Sequence, residues 1–398
     1  MHRHNVPISR FHTLLMATTA GIAVANIYYN QPILKEISST FGTTESKAGY
    51  ISMLSQIGYG IGLFFITPLG DKANKKDLVV ILQSLLIATL LFIFFAGTIS
   101  QMWLLSVFTG IFSVSVQVIM PMAAGLDSEN RGKNVGTIFT GILVGILAAR
   151  VFSGSIAEWL GWRYVYMFSA MALLVVTLLL QIYLPSVPNT FKGSYPQLLA
   201  SALKQIRRFS LLRTTSAIGA LQFGLFSSFW TTLTFHLSGT PFNFSTDHIG
   251  LFGLVAIAGA LLAPVMGKMT DKGQTAHIRR LAMGLVIGSI VMMMWFPASV
   301  VGLVLSVFLL DLGVQAMQVT NVALIYSLDP TSHSRINTIF MTSVFTGGAL
   351  GTYLGIVCWQ HWGWYGVTCH MLASSLLILA LLAQEKKAKA KDLALTTG

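Results

Sequence analysis

Charge is what this chain has least of. Only 13 of its 398 residues are Asp or Glu, charged residues of both signs make up 10%, and 54% are hydrophobic. A folded chain in water needs more surface charge than that, so a mean hydropathy of +0.71 excludes a soluble globular protein. Cysteine is nearly absent. Cys358 and Cys369 exclude a disulfide scaffold and read as buried thiols. Period-two alternation is missing too, and with it the outer-membrane β-barrel. No phosphate-binding loop, ATPase cassette, nucleophile triad or zinc motif occurs. The chain is therefore expected not to be an enzyme and to need no cofactor and no metal, and the energy for its work must come from a gradient.

What the chain does have is apolar length. Stretches at 13–34, 48–68, 78–97, 102–125, 134–157, 164–184, 212–235, 248–267, 281–296, 299–325, 338–360 and 364–383 are near-continuous Leu, Ile, Val, Phe, Ala, Gly and Met. Each is close to the ~20 residues that an α-helix needs to cross a bilayer. The expected fold class is an all-α membrane protein with twelve transmembrane helices. The formal charge of +12 is dispersed between these stretches, with no basic domain for nucleic acid. If both termini are cytoplasmic, all Lys and Arg except Lys35, Lys47, Arg163 and the mid-stretch Arg150 fall on the inner side, which orients the chain. Trp103, Trp159, Trp162, Trp230, Trp295, Trp359, Trp362 and Trp364 all fall near outer ends, as an interfacial belt would. Ala23-Val24-Ala25 mimics a signal-peptide cleavage site, but cleavage would leave eleven stretches and break a repeat.

That repeat runs at an almost constant offset. Asp71-Lys72 returns as Asp271-Lys272, Ser106-Val107-Phe108 as Ser306-Val307-Phe308, Thr137-Ile138-Phe139 as Thr338-Ile339-Phe340, and Gly161-Trp162 as Gly363-Trp364. Collinear matches predict two six-helix halves of like orientation, 1–184 and 212–383. Between them, residues 185–211 form a cytoplasmic linker. There Leu198, Leu199, Ala202, Leu203, Ile206 and Phe209 oppose Lys204, Arg207 and Arg208, which predicts a helix lying on the membrane surface. Residues 384–398 read as a short, basic, disordered cytoplasmic tail.

Two loops carry a family resemblance. Pro68-Leu69-Gly70-Asp71-Lys72-Ala73-Asn74-Lys75-Lys76 follows the second stretch, and Gly267-Lys268-Met269-Thr270-Asp271-Lys272-Gly273 follows the eighth. Both resemble the G-x-x-x-D-[RK]-x-G loop of the major facilitator superfamily, the second copy more closely. Asp127-Ser128-Glu129-Asn130-Arg131-Gly132 and Gly161-Trp162-Arg163 resemble features of its drug:proton antiporter-like branch. Ala25-Asn26-Ile27-Tyr28-Tyr29-Asn30-Gln31-Pro32 is similar to a segment in a group of bacterial efflux-type transporters. The fifth stretch departs from the antiporter glycine-proline pattern. It keeps Gly136, Gly145 and Gly154 but has Ala149, Arg150 and Ser153 where Gly, Pro and Gly are expected. The Arg expected in the fourth stretch is absent, with Ser106 and Val107 around its place. The resemblance implies a cytoplasmic latch of Asp71, Lys72, Asp271, Lys272 and Arg131, the carboxylates accepting from a neighbouring helix N-terminus. A solvated turn is the structural alternative.

Polar residues stand out against this background. Asp311, Gln315 and Gln318 fall on one face at i, i+4 and i+7, and an ionised carboxylate in mid-membrane needs water or a partner. Arg150 is its natural counter-charge, so Asp311 and Arg150 are the expected proton-coupling pair. A fixed ion pair that staples helices is the alternative. By the resemblance, stretches 1, 4, 7 and 10 line a central cavity. Asn26, Tyr29, Asn30, Gln56, Gln117, Gln222, Trp230, Gln315 and Gln318 are the candidate cavity residues. Each amide could instead bond helix to helix. Tyr28, Phe226 and Phe229 could add aromatic walls, or simply pack. His236, Asp247 and His248 near the outer side lack the spacing of a metal site.

The expected function is secondary active transport of a small organic molecule across the bacterial inner membrane, as efflux coupled to proton entry. Proton-coupled uptake is the second reading and a non-transporting membrane sensor the third. The expected partners are the small-molecule substrate, protons and the bilayer, with no nucleic acid, and the protein is expected to be a monomer. One Arg, one Asp and many amides suit a neutral or anionic cargo.

Overall fold

The computed structural model describes residues 9–126, 131–186, 193–261, 275–329 and 332–396, and the regular structure among them is helical. In chain order the helices are α1 (Arg10–Ala25), α2 (Asn30–Thr40), α3 (Glu45–Ile61), α4 (Leu69–Lys72), α5 (Lys75–Phe94), α6 (Ile99–Ser113), α7 (Ser115–Leu126) and α8 (Arg131–Leu160). They continue as α9 (Trp162–Tyr183), α10 (Tyr195–Arg208), α11 (Ser210–Ser238), α12 (Thr246–Leu261), α13 (Thr275–Trp295), α14 (Val300–Tyr326) and α15 (His333–Thr396). Nine segments of the described residues are long and apolar enough to cross a membrane, the longest being His333–Glu385, which contains a break at Gly363. Helix α11 is 29 residues long but rich in Ser and Thr, and α12 is described only to Leu261. Exposed apolar side chains such as Phe92, Ile182, Val301 and Leu377 give the outer surface the character that lipid, not water, solvates.

Helix ends follow from local chemistry. Ser194 and Gln197 form a capping box that starts α10, and Thr98 with Gln101 does the same for α6. Pro32 has no N–H to return to the Tyr28 carbonyl, and the first apolar stretch accordingly opens between α1 and α2. The Asn26 and Asn30 side-chain amides donate to the Ile22 and Ile27 carbonyls, each at 2.9 Å. Helix α3 passes through a π turn at Gly62–Ile66 before Pro68 and α4.

The repeated motifs adopt matching local structure. Gly161 and Gly363 both have positive φ (94° and 58°), a conformation glycine adopts without a Cβ penalty, and each breaks the chain just before a buried Trp, Trp162 or Trp364. Ser106 and Ser306 are buried and donate back to the Met102 and Gly302 carbonyls at 2.6 and 2.7 Å. Buried apolar side chains gather in two clusters. One is built mainly from α1–α9 with Phe340, Val344 and Phe345, and the other from α11–α15 with Leu147.

Close helix contacts use glycine. A Cβ on Gly145 would lie 2.2 Å from the Gly21 oxygen, so α8 and α1 touch backbone to backbone. Further along α8, a Cβ on Gly154 would lie 2.4 Å from the Thr246 oxygen, at the contact with α12.

Several expectations are corrected. The tail is not a disordered strand of residues: α15 continues to Thr396, because its run of Glu, Lys, Ala and Leu is strongly helix-forming. Helix α10 spans Tyr195–Arg208 and makes contacts with the rest of the protein in addition to the surface placement expected of it. Its Tyr195 hydroxyl donates to the Phe65 carbonyl, and Arg208 pairs with Asp329 at 2.7 Å. The Trp belt is partial. Trp159, Trp295 and Trp362 are exposed, whereas Trp162, Trp230 and Trp364 turn inward and are buried.

Candidate functional site

The two mid-stretch charges are brought towards each other by α8 and α14. Arg150 lies four to five residues beyond the middle of α8 and Asp311 near the middle of α14, and both are almost wholly buried, at 2% and 1% exposure. Each acts electrostatically on the other, yet they are not in salt-bridge contact. Arg150 is instead held by neighbours from α2, from the turn before it and from α11 at once. Its Nε donates to Gln31 Oε1 at 2.8 Å, and its guanidinium lies 3.8 Å over the Trp230 ring and 5.5 Å from that of Tyr28. Both Nη1 and Nη2 lack a hydrogen-bond partner, as do Asp311 Oδ2 and Trp230 Nε1. Four buried polar atoms without partners in one region is the opposite of what a structural core maintains.

An aromatic row leads away from this cluster. Trp230, Phe226, Phe223, Phe345 and Tyr59 follow one another with ring centroids 6.2, 6.0, 5.0 and 4.3 Å apart, passing from α11 to α15 to α3. At its end the Tyr59 hydroxyl accepts from Gln117 Nε2 at 3.1 Å. Gln315 and Gln318, on the Asp311 face of α14, are half-buried and make no described hydrogen bond.

The other candidate amides make hydrogen bonds to neighbouring helices. Asn26 accepts from Ser169 at 2.8 Å, and Asn30 accepts from Ser52. Gln222 donates to the Val314 carbonyl and accepts from Asn321 at 3.3 Å. Gln56 donates to Thr352 at 3.2 Å across to α15, leaving its Oε1 without a partner. Tyr29 is buried against Phe152. The structure thus gathers Arg150, Trp230 and Asp311 from the sequence-derived set, and adds Gln31 and Tyr28 as close neighbours. Gln31 was legible only as one polar residue inside the motif shared with other transporters. His236 is held elsewhere, on the Pro297 carbonyl at 2.7 Å and stacked 4.1 Å from the Trp364 ring. Asp247 and His248 pair at the surface, where the Ser245 hydroxyl donates to Asp247 and holds its carboxyl below the usual range.

A second network escaped the sequence reading. Arg279, counted there as a topogenic charge, is buried on α13 and bonds both Glu385 and Asn321, with Asn321 in turn bonded to Gln222. Its signal was indirect: Glu385 is the last acid before a basic tail.

Among the described residues, those before α10 meet residues after it near the starts of α2 and α3 and the end of α8. Glu45 accepts from Lys35 at 2.8 Å and from Trp359 Nε1 at 3.2 Å. Glu158 accepts from the Thr246 hydroxyl at 3.0 Å, and the Gln31 carbonyl accepts from Thr234 at 2.7 Å. In α4 Asp71 is half-buried, and the charges of Lys75 and Arg335 act on it, Arg335 being in the first turn of α15. Lys72 is exposed at the end of α4. Asp271 and Lys272 lie outside the described residues, as does the side chain of Arg131.

The family model described as Major Facilitator Superfamily matches residues 16–352. A relative from Escherichia coli, the putative uncharacterized transporter YgaY, is 38% identical over 368 residues, covering 92% of this chain and 93% of its own. The probable transporter SCO4007 of Streptomyces coelicolor is 29% identical over 94% of this chain and 87% of its own. Among solved structures, a bacterial homologue of the human lysosomal transporter Spinster, inward-facing and unoccupied, superposes with a TM-score of 0.73 at 15% identity, covering 96% of this chain and 97% of that one. A peptide transporter in complex with alafosfalin superposes with a TM-score of 0.74 at 14% identity, covering 96% of each chain.

Proposed function

The chain belongs to the major facilitator superfamily, and from that premise we propose that it is a proton-coupled secondary transporter with Asp311 as its proton site and Arg150 as the counter-charge. It is a multi-pass membrane transport protein with the major facilitator fold, and not an enzyme. The proposal extends this to a monomer in the bacterial inner membrane with twelve crossings in two six-helix halves, both termini cytoplasmic, carrying a small organic molecule by alternating access. Trp230, Gln315 and Gln318 line the path of the cargo, and Asp71, Lys72, Asp271, Lys272 and Arg131 form the inner latch. The outer contacts through Glu45, Glu158 and Gly154 support an inward-facing state.

One observation carries the reading: a buried cation and a buried carboxylate act on each other electrostatically without forming a salt bridge, and each keeps polar atoms without a partner. An ion pair that only staples helices gains most when its two charges touch, since both have already lost their water. An open pair keeps donor and acceptor capacity for something that arrives and leaves. Efflux against entering protons is the first reading of direction. Uptake together with a proton is the second, and the unoccupied Arg150 donors favour it for an anionic cargo.

The test is Asp311→Asn in proteoliposomes, with a substrate selected by thermal stabilisation of the purified protein. The variant should bind and exchange substrate but lose the dependence of transport on a proton gradient. Normal gradient-driven transport would remove Asp311 from the mechanism.

A further inference from the structure

Arg150 has one edge in use and one edge free. Its Nε is committed to Gln31, while Nη1 and Nη2 find no acceptor, and Trp230 Nε1 beside them finds none either. Two parallel N–H groups at the end of a planar guanidinium match the two oxygens of a carboxylate. The Trp230 and Tyr28 rings lie 3.8 and 5.5 Å from the guanidinium and Phe226 packs on Trp230, so a planar body held there would meet aromatic faces. We propose that the cargo is a small organic monocarboxylate with an aromatic or similarly planar body, held by the free guanidinium edge of Arg150, and that it travels with one proton on Asp311. This rests on reading Arg150 and Asp311 as the transport site.

The charge of the site determines the coupling. Arg150 and ionised Asp311 sum to zero, so a carboxylate entering beside them leaves one net negative charge in a region of low dielectric. A proton on Asp311 restores neutrality, so carboxylate and proton each favour the binding of the other. That is the signature of movement together, so a cargo of this kind follows the second reading of direction, uptake with a proton. A cationic cargo would meet the fixed Arg150 charge, and a phosphate dianion would need a second cation that the site does not have.

No other described charge competes for Asp311. Against α14, helix α13 brings Arg279, bonded to Asn321 about 15 Å inward at 1.5 Å per residue. Helix α11 brings His236 on the Pro297 carbonyl, α12 brings the surface pair of Asp247 and His248, and α15 brings His361, His370 and Glu385. Only Arg150 acts on Asp311 among them, and Arg150 in turn faces Asp311 and Tyr28.

The experiment measures binding to the purified full chain by thermal stabilisation at pH 5.5 and pH 8, with benzoate, phenylacetate and indole-3-acetate against benzamide, phenylacetamide and indole-3-acetamide. At least one acid should stabilise the wild type at pH 5.5, with apparent affinity falling tenfold or more at pH 8, while its amide does nothing. Asp311→Asn should bind the same acid equally at both pH values. The double variant Arg150→Gln with Asp311→Asn keeps the buried pair neutral and so tolerates folding, and should bind on the order of a hundredfold more weakly. Arg150→Lys should fall between, having the charge without the fork. Failure of all three acids, equal stabilisation by an amide, or undiminished binding by the double variant would overturn the proposal. Binding is read here without a gradient, so a failed carboxylate assay and a failed gradient test of Asp311→Asn are separate results.

Discussion

Gly154→Ala should open the outer side of the protein. The added methyl falls 2.4 Å from the Thr246 carbonyl oxygen, with the Gly250 Cα at 3.2 Å. Both are backbone atoms of α12, so no side-chain rotation relieves the clash, and α8 and α12 must separate by roughly 1 Å to reach ordinary contact. Overpacking of this kind costs about 1–3 kcal/mol. The cost falls only on the state in which these helices touch. The ratio of outer-closed to outer-open molecules should therefore fall by about fivefold to 150-fold. Spin labels at Ser39→Cys and Gln360→Cys, both exposed, would report the change as a longer distance, with Cys358 and Cys369 replaced by Ala. Gly136→Ala is the internal control, because it lies on the same helix and a Cβ there would meet no atom within 4 Å, so it should leave the distance unchanged. An unaltered distance distribution for Gly154→Ala, or equal opening by Gly136→Ala, would refute the assignment of this contact to the outer gate.

Arg279→Ala should destabilise the fold by about 3–5 kcal/mol in thermal unfolding, because it strands Glu385 and the Asn321 amide, whereas Arg279→Met with Glu385→Leu should lose much less. Asp71→Asn should shift the resting population a few-fold towards inward-open, seen as increased inner-side cysteine reactivity, with little change in thermal stability; unchanged reactivity would leave only the solvated turn. In intact cells an impermeant thiol reagent should modify a cysteine at Thr43 and spare one at Lys204, and the reverse pattern would invert the topology.

Much of the architecture was legible because hydropathy and charge asymmetry are local properties. Apolar runs of ~20 residues without period-two alternation become helices in a bilayer whatever they pack against, since outside a closed barrel only the helix satisfies their backbone there. The paired Gly161-Trp162 and Gly363-Trp364 were legible as a repeat, whereas the opening between Ala25 and Asn30 and the capping boxes came only with the structure. The mid-membrane outliers Arg150 and Asp311 were visible because a charge in an apolar run is costly wherever it occurs.

What each polar group touches was settled only by tertiary structure. Asn26, Asn30 and Gln222 read in sequence either as cavity amides or as helix-to-helix bonds, and their partners Ser169, Ser52 and Asn321 came only with the fold. Arg279 looked like a loop charge until Glu385, 106 residues away, met it. Arg150 pointed in sequence towards Asp311, yet its Nε found Gln31 and its face found Trp230. The physical reason is the same in each case. A side chain's hydrogen-bonding type is written in its own residue, but whether that capacity is spent or left open depends on which distant helix is brought beside it, and no local pattern encodes that neighbour.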